Sequence, residues 1–363
     1  MKKSLFIAFE RNLSSLPPLL TQIELLNEIY DTTVSVAKVE SEFVERYPNV
    51  MFISYYNWIE PKKKLDRVIN RINRSYSFPR FVKRYLKNNR PNLFWIGSAE
   101  AAFLLKPIEK YLANIPYNLN IYELYDRKPI MLRRIKKIAQ NAEKIIVPEY
   151  NRANILRLWL GLKETPIVIP NKPIFHPRKR NLPIPPDLQS KMAGKKIILY
   201  QGHITSDRNI DILCETIQEL PDFQLVLLGD GGGYLESLKK RYSTIIHIDF
   251  VKPPMHLNIT SWAYIGIVSY EYYSLNTIYC APNKIWEYSG FGIPMLANDI
   301  PGLRGTVDRN SAGVCFNVKS KEQIKENILM LENNYAVYSN NAIHMFDNEN
   351  IVSKIYSIIE KDE

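Results

Sequence analysis

Apolar residues recur along the chain in short runs, separated by stretches in which they return every three or four positions. Leu5 to Phe9 reads as a strand, Pro18 to Tyr30 as a helix with Leu19, Leu20, Ile23 and Leu26 on one face, and Thr33 to Ala37 as a second strand. Phe94 to Gly97, Asn120 to Leu124, Lys144 to Val147 and Ile167 to Ile169 read as further strands, with helices at Glu100 to Leu112, Pro129 to Asn141 and Asn151 to Leu160 between them. This is the βα rhythm of a parallel sheet covered on both faces. Pro170, Pro173, Pro177, Pro183, Pro185 and Pro186 then fall in a stretch that cannot be a regular helix, and a domain boundary is placed there. A second rhythm follows. Its strands are Lys196 to Tyr200, Phe223 to Leu228, Ile245 to Ile248, Ile265 to Ser269 and Met295 to Ala297, and its helices Ile210 to Leu220, Tyr234 to Arg241 and Lys284 to Phe291. The pattern predicts an α/β protein of two doubly wound, Rossmann-like halves facing a central cleft. No period of 20 to 50 residues repeats, which excludes a solenoid.

With 363 residues, 46% hydrophobic and 23% charged, the chain has enough apolar material for two ordinary cores. A disordered tail, a collagen-like fibre and a disulfide miniprotein are excluded. Cys214, Cys280 and Cys315 are widely spaced and fit no zinc pattern, as expected of reduced thiols in cytosol. The apolar run at Leu5 to Phe9 is broken by Glu10 and Arg11, too short for a signal peptide, and no stretch approaches the ~20 apolar residues that span a bilayer.

Charge departs from the average. The net charge is +11, and Lys62 to Arg90 holds eleven Lys and Arg against Asp66 alone. Leu65, Val68, Ile69, Ile72, Tyr76, Phe78, Phe81, Val82, Tyr85 and Leu86 are interleaved with them at helical spacing, so that apolar and cationic faces oppose each other. Three readings stay open: an anionic membrane surface or lipid acceptor, a solvated helix face, and nucleic acid, for which no recognised motif is present.

Three segments in the second half carry candidate chemistry. Leu199-Tyr-Gln-Gly-His-Ile-Thr-Ser-Asp-Arg runs from a strand toward a helix, with Gly202 at the tight turn and Arg208 near the helix start. Exposed amides and a guanidinium suit a diphosphate, although a plain surface turn has the same appearance. Leu227-Leu-Gly-Asp-Gly-Gly-Gly-Tyr is a second such turn, around Gly229 and Asp230. In Ala281-Pro-Asn-Lys-Ile-Trp-Glu-Tyr-Ser-Gly-Phe-Gly-Ile-Pro, Lys284 and Glu287 stand three apart on one helix face. They could meet phosphates and ribose hydroxyls, or simply form an ion pair.

Taken in order, these segments resemble the C-terminal domain of family 4 retaining glycosyltransferases of the GT-B fold, in the bacterial polysaccharide branch. That branch's hallmark reads Pro-Asn-Lys-hydrophobic-x-Glu-Tyr followed by Gly-x-Pro, and the resemblance covers Ile198 to Phe316. The first half is similar only in rhythm and in Val168-Ile-Pro-Asn-Lys-Pro. The resemblance implies an acceptor-side domain over 1–170, a Pro-rich linker over 171–195, a nucleotide-sugar domain over 196–337, and a helix over 338–363 that packs back on the first domain. It implies Arg208 and Lys284 beside the donor diphosphate, Glu287 on the ribose, Phe250 and Val251 at the base, and Gly202, His203, Gly229, Asp230 and Asn283 in the surrounding turns. His203 stands where relatives often carry arginine, and either donates to phosphate or faces solvent. Many members have Glu-x7-Glu, but Tyr279 occupies the first acid's place, and Glu271 is either its substitute or a loop charge. Glu123, in Ile121-Tyr-Glu-Leu-Tyr-Asp, falls near the catalytic position of the first domain.

The activity implied is retaining transfer of a sugar from a nucleotide diphosphate donor, a UDP-sugar before a GDP-sugar, to a growing, lipid-linked glycan. The nucleotide-sugar is a co-substrate. No other cofactor and no metal is expected, since no Asp-x-Asp occurs, and cations and helix N-termini would carry the diphosphate charge. The expected location is cytoplasmic, peripheral on the membrane through Lys62 to Arg90, with no nucleic-acid partner. The alternatives are a non-hydrolysing nucleotide-sugar epimerase of the same fold and a non-catalytic nucleotide- or glycan-binding module.

Overall fold

A computed structural model describes residues 2–317 and 319–359. It divides the chain into two compact units, one of residues 1–170 with 351–363 and one of 171–350. Each unit is built on a parallel sheet.

The first sheet contains β1 (Lys3–Ala8), β2 (Tyr30–Val36), β3 (Met51–Ser54), β4 (Leu93–Ile96), β5 (Asn118–Asn120), β6 (Lys144–Val147) and β7 (Ile167–Val168), in the order β3-β2-β1-β4-β5-β6-β7. Leu5 to Ala8 and Leu93 to Ile96 are buried, as continuous apolar runs must be when helices cover both faces. The second sheet contains β8 (Lys196–Gln201), β9 (Phe223–Leu228), β10 (Ile246–Ile248), β11 (Ile265–Val268), β12 (Met295–Asn298) and β13 (Gly313–Phe316), in the order β10-β9-β8-β11-β12-β13. Its central strand shows how one sequence feeds two cores. Ile197 and Leu199 pack with Ile285, Trp286 and Tyr288 on one face, while Ile198 and Tyr200 pack with Ile210, Leu213 and Leu225 on the other. Full burial of each such aliphatic side chain contributes about 2 kcal/mol.

Several elements differ from the expectation. The helix expected over Glu100 to Leu112 is three pieces, Ala99–Leu105, a 3-10 turn at Lys106–Ile108 and Glu109–Leu112, because Pro107 lacks the N–H that a continuous helix needs. β5 is shifted toward the N-terminus, and the chain leaves it through Tyr125, which has φ 57°. The edge strands β3 and β13 and the helix Lys321–Asn333 were not anticipated.

The stretch expected to be a linker belongs to the second unit and is strapped to it. Arg180 Nε donates to the Ser261 carbonyl at 2.9 Å, Leu182 N–H to Ser261 Oγ at 2.9 Å and Trp262 Nε1 to the Leu182 carbonyl at 2.7 Å. The return to the first domain starts later than Tyr338. Helix Tyr335–Asn348 stays with the second unit, where Ser339 Oγ donates to the Gly292 carbonyl at 2.7 Å. Only the terminal helix Ile351–Ile359 joins the first unit, burying Ile351, Ile355, Ile358 and Ile359, with Tyr356 Oη 2.8 Å from Glu28 Oε2. The rest of the expected helix, residues 360–363, lies outside the described residues.

The basic segment forms one helix, Lys64–Asn89, with Asp66 accepting from the N–H groups of Lys62 and Lys63 at its start. Its two halves differ. Phe78, Val82 and Leu86 are buried, and Tyr85 stacks on Phe6 of β1 at 4.1 Å, so the second half is a core helix. In the first half Leu65, Val68, Ile72 and Tyr76 are exposed. Among the described residues no helix is long and apolar enough to cross a membrane.

Candidate nucleotide-sugar site

In the second sheet the strand order reverses direction between β8 and β11, and a doubly wound sheet binds ligands outside the carboxyl ends of its strands at such a switch point. The candidate residues gather there. Gly202 follows β8 with φ 122°, and Gly229 follows β9 with φ 137°. The Gly202 N–H donates to the Leu228 carbonyl at 2.9 Å and the Gly229 N–H to the Ile248 carbonyl at 2.9 Å. A Cβ on Gly229 would press into the Gly202 carbonyl, so both the torsion and the close approach require glycine.

Lys284 reaches this turn from the helix Asn283–Gly290. Its Nζ would lie 3.3 Å from a Cβ at Gly202 and sits 4.6 Å from the Tyr200 ring centre. Arg208 approaches from the other side, its Cζ 4.2 Å from the Tyr270 ring centre and its Nη1 3.3 Å from the Ser269 carbonyl. Lys284 Nζ is 5.7 Å from the same ring. Burial pushes the Lys284 ammonium down to about 7, and the Arg208 charge adds to that against the opposing pull of Glu287. Arg208 Nε also lies 3.5 Å from Asp207 Oδ2, and Lys284 is drawn by Glu287, so each cation has one carboxylate near it. The two cations beside the shared Tyr270 ring still make a place where an added diphosphate, with its greater charge, is stabilised.

Glu287 lies one turn along the same helix. Its Oε1 is 3.1 Å from His256 Nε2, and its Oε2 accepts from Gln201 Nε2. Burial raises the Glu287 carboxyl, but the charge and hydrogen bond of His256, with Lys284 behind them, outweigh it and hold the group below the ordinary carboxylate range. The helix itself is anchored from the 171–185 stretch, where His176 Nε2 lies 3.0 Å from the Glu287 carbonyl oxygen and its ring packs edge-on to Phe291. Burial pushes His176 down to about 4, so it is neutral at physiological pH.

The other expected residues are less central. His203 is exposed, and its carbonyl accepts from Tyr200 Oη at 2.7 Å. Asp230 is exposed and lies 3.4 Å from the Phe250 N–H, with Phe250 itself exposed and Val251 packed on the core. Asn283 opens the Lys284 helix, and Tyr279 closes the short helix Leu275–Ile278 just before it. Glu271 is paired with Lys319 at 3.4 Å. Glu123 belongs to the first unit, where it lies 3.4 Å from the buried Arg152. Sequence reasoning missed Gln201, Tyr270, His176 and His256. Gln201 adjoins Gly202 and was within reach of the motif. The two histidines come from unrelated segments and carry no local signal.

Residues 195–334 match the family described as Glycosyl transferases group 1. The match lies within the second unit. The whole chain has the GT-B fold, as solved structures at low identity show. Anabaena HepE in complex with UDP and glucose is similar at TM-score 0.73 and 13% identity, over 99% of each chain. Sucrose-phosphate synthase from Thermosynechococcus elongatus is similar at TM-score 0.70 and 16% identity, again over 99% of each chain. The lipopolysaccharide-biosynthesis glycosyltransferase WaaG is similar at TM-score 0.65 and 12% identity, over 98% of each chain. No curated protein sequence matches the chain. The Pro282 to Tyr288 segment, which turns Lys284 and Glu287 toward the switch point, lies inside the matched group 1 domain.

Proposed function

We propose that this GT-B protein is a retaining glycosyltransferase that moves a sugar from a nucleoside diphosphate donor, with UDP-sugars favoured, to a growing lipid-linked glycan of a cell-surface polysaccharide. The observation that carries this reading is the convergence of Gly202, Arg208, Lys284 and Glu287 at one switch point. HepE, a protein of the same fold, has been crystallised with UDP-glucose, which favours a uridine donor. In the transfer, the bond from the sugar's anomeric carbon to the phosphate oxygen breaks and a bond to the acceptor oxygen forms on the same face. The acceptor proton passes to the departing phosphate oxygen. Negative charge accumulates on the diphosphate, and Arg208 and Lys284 stabilise it there without a metal. Glu287 accepts the ribose hydroxyls, and Phe250 and Val251 flank the base. In the first domain the candidate catalytic group is Glu123, whose carboxylate lies 3.4 Å from Arg152 Nη1.

A membrane surface is the partner best suited to the basic helix. Leu65, Val68, Ile72 and Tyr76 fall on one stripe at 100° per residue, and all four are exposed. Lys64, Arg67 and Arg71 line one flank of that stripe, also exposed. An apolar stripe edged by cations fits an anionic lipid surface better than a solvated face, which would not place four large apolar groups together.

The deciding experiment is calorimetric titration with UDP, GDP, ADP and CMP in metal-free buffer, with Glu287→Ala as control. UDP binding that weakens about tenfold or more in the variant supports the donor site. An unaffected variant removes Glu287 from it. An epimerase of this fold would convert a nucleotide-sugar with no acceptor present, so incubation of donor alone separates that reaction from transfer.

A further inference from the structure

The Glu287 carboxylate is gripped on both oxygens. Besides His256 on Oε1 and Gln201 on Oε2, the Gln201 amide oxygen lies 2.8 Å from Thr260 Oγ1, and that hydroxyl lies 3.1 Å from the His256 carbonyl. The single Thr260 O–H has both acceptors in reach, the Gln201 amide oxygen being the nearer, so histidine, carboxylate, amide and hydroxyl lie in one connected cluster. The His256 and Glu287 side chains are 13% and 14% exposed, so the contact is largely shielded from water. His256 opens the helix His256–Thr260, directly after the loop that carries Phe250 and Val251, while Glu287 stands on the Asn283–Gly290 helix. One contact thus joins the base-side loop to the ribose-side carboxylate.

We infer that His256 is a positioning residue for donor binding: it fixes the Glu287 carboxylate in register with the loop at Phe250 and Val251, and acts on the nucleotide only through that carboxylate. This role presupposes that Glu287 binds the ribose. The charge on His256 is part of it. Burial lowers the imidazole's hold on its proton, but Glu287 outweighs burial and keeps the group above its ordinary value of 6.5. The other ionisable groups around the pair are His176, neutral against the Glu287 carbonyl, Lys284 on the same helix as Glu287, and the buried Tyr288. Burial and the Glu287 charge hold the Tyr288 hydroxyl well above its ordinary range and so protonated. His256 Nδ1 is buried and has no hydrogen-bond partner among the described residues. It is therefore the nitrogen that loses the proton as pH rises, leaving Nε2–H on Glu287. A group with a raised value is fully charged below the ordinary imidazole range and loses its charge as pH climbs through the raised value. The bond to Glu287 then passes from charge-assisted to neutral, about half as strong.

The test titrates UDP into wild type, His256→Ala and His256→Gln at a series of pH values rising from the ordinary imidazole range, the direction in which a raised imidazole gives up its proton. NMR titration of the His256 ring in the free wild type and in Glu287→Gln accompanies it. His256→Ala should weaken UDP about tenfold. His256→Gln, whose amide N–H reaches the same carboxylate, should recover most of that loss, and the ratio of wild-type to His256→Gln affinity should shrink as pH rises. Lys284 titrates alike in both proteins and cancels from the ratio. In the free protein, the His256 ring should titrate above ordinary imidazole in wild type and below it in Glu287→Gln. An alanine variant that binds like wild type, or a ratio constant with pH, overturns the positioning role. If His256→Ala does not fold, the glutamine ratio and the ring titration decide. A wild type that shows the expected ring titration yet binds none of UDP, GDP, ADP and CMP would instead overturn the ribose assignment of Glu287.

Discussion

Lys284 is the residue whose energetics follow most directly from its position. Burial and Arg208 have brought its ammonium down to about 7, so at pH 8 the empty site holds it mostly neutral. A diphosphate beside it reverses that balance and restores the proton. The sign is therefore uptake: UDP binding at pH 8 should draw most of one proton from solution, and at pH 6 almost none at this residue, since Lys284 is already charged there. Calorimetry in buffers of different ionisation heat measures this. Lys284→Met should abolish the uptake and weaken UDP about tenfold or more. Equal uptake in the variant would place the titrating group elsewhere. Lys284 and Glu287 were legible in the sequence because a helix makes an i,i+3 pair local. That the pair is not a simple ion pair was not legible, because His256 and Gln201, which hold Glu287, arrive from other segments.

Among the elements, the C-terminal helices have the sharpest consequence. The chain ends with two helices that serve different domains, Tyr335–Asn348 the second and Ile351–Ile359 the first. A stop codon after Asn350 removes four buried isoleucines from the first core, a loss on the order of 5 kcal/mol. The expected outcome is selective melting of the first domain, read as lost hydrogen-exchange protection in β1 and β2, while the second domain still binds UDP. Loss of UDP binding in that truncation would mean that the terminal helix supports both domains. Strands such as β1, β8 and β9 were readable because both faces are buried and the apolar run is continuous. Of the four edge strands, β7 and β10 were read from their β-branched runs, while β3, with Met51 and Ser54 exposed, and β13, opened by Gly313, lack such a run and were not. Pro107 could have been read as a helix break, and it was the 3.6-residue periodicity on either side that obscured it.

At the scale of the whole molecule, the +11 charge is unevenly placed, with the basic helix holding much of it beside an exposed apolar stripe. Each basic residue near an anionic surface contributes about 1 kcal/mol, screened by salt, while the apolar stripe is insensitive to salt. Co-sedimentation should show binding to phosphatidylglycerol vesicles and little to phosphatidylcholine. Added salt should weaken that binding, and the combined Leu65→Ser, Val68→Ser and Ile72→Ser variant should lose it with its helical content intact. Undiminished binding by that variant would leave only a diffuse electrostatic attraction.

The sequence by itself determined the two parallel α/β domains and the GT-B resemblance of the second half, and it singled out Gly202, Arg208, Lys284 and Glu287 as candidates. These depend on hydrophobic period and on motifs that are contiguous in the chain. Only the tertiary structure decided which strands are neighbours, that the proline-rich stretch is bound to the second domain, and that the final helix returns to the first at Ile351. It alone also divided the basic helix into a packed half and an exposed half, and set His256 against Glu287. Those features arise from contacts between segments far apart in sequence, where burial and distance are fixed by packing and leave no periodic trace in the chain.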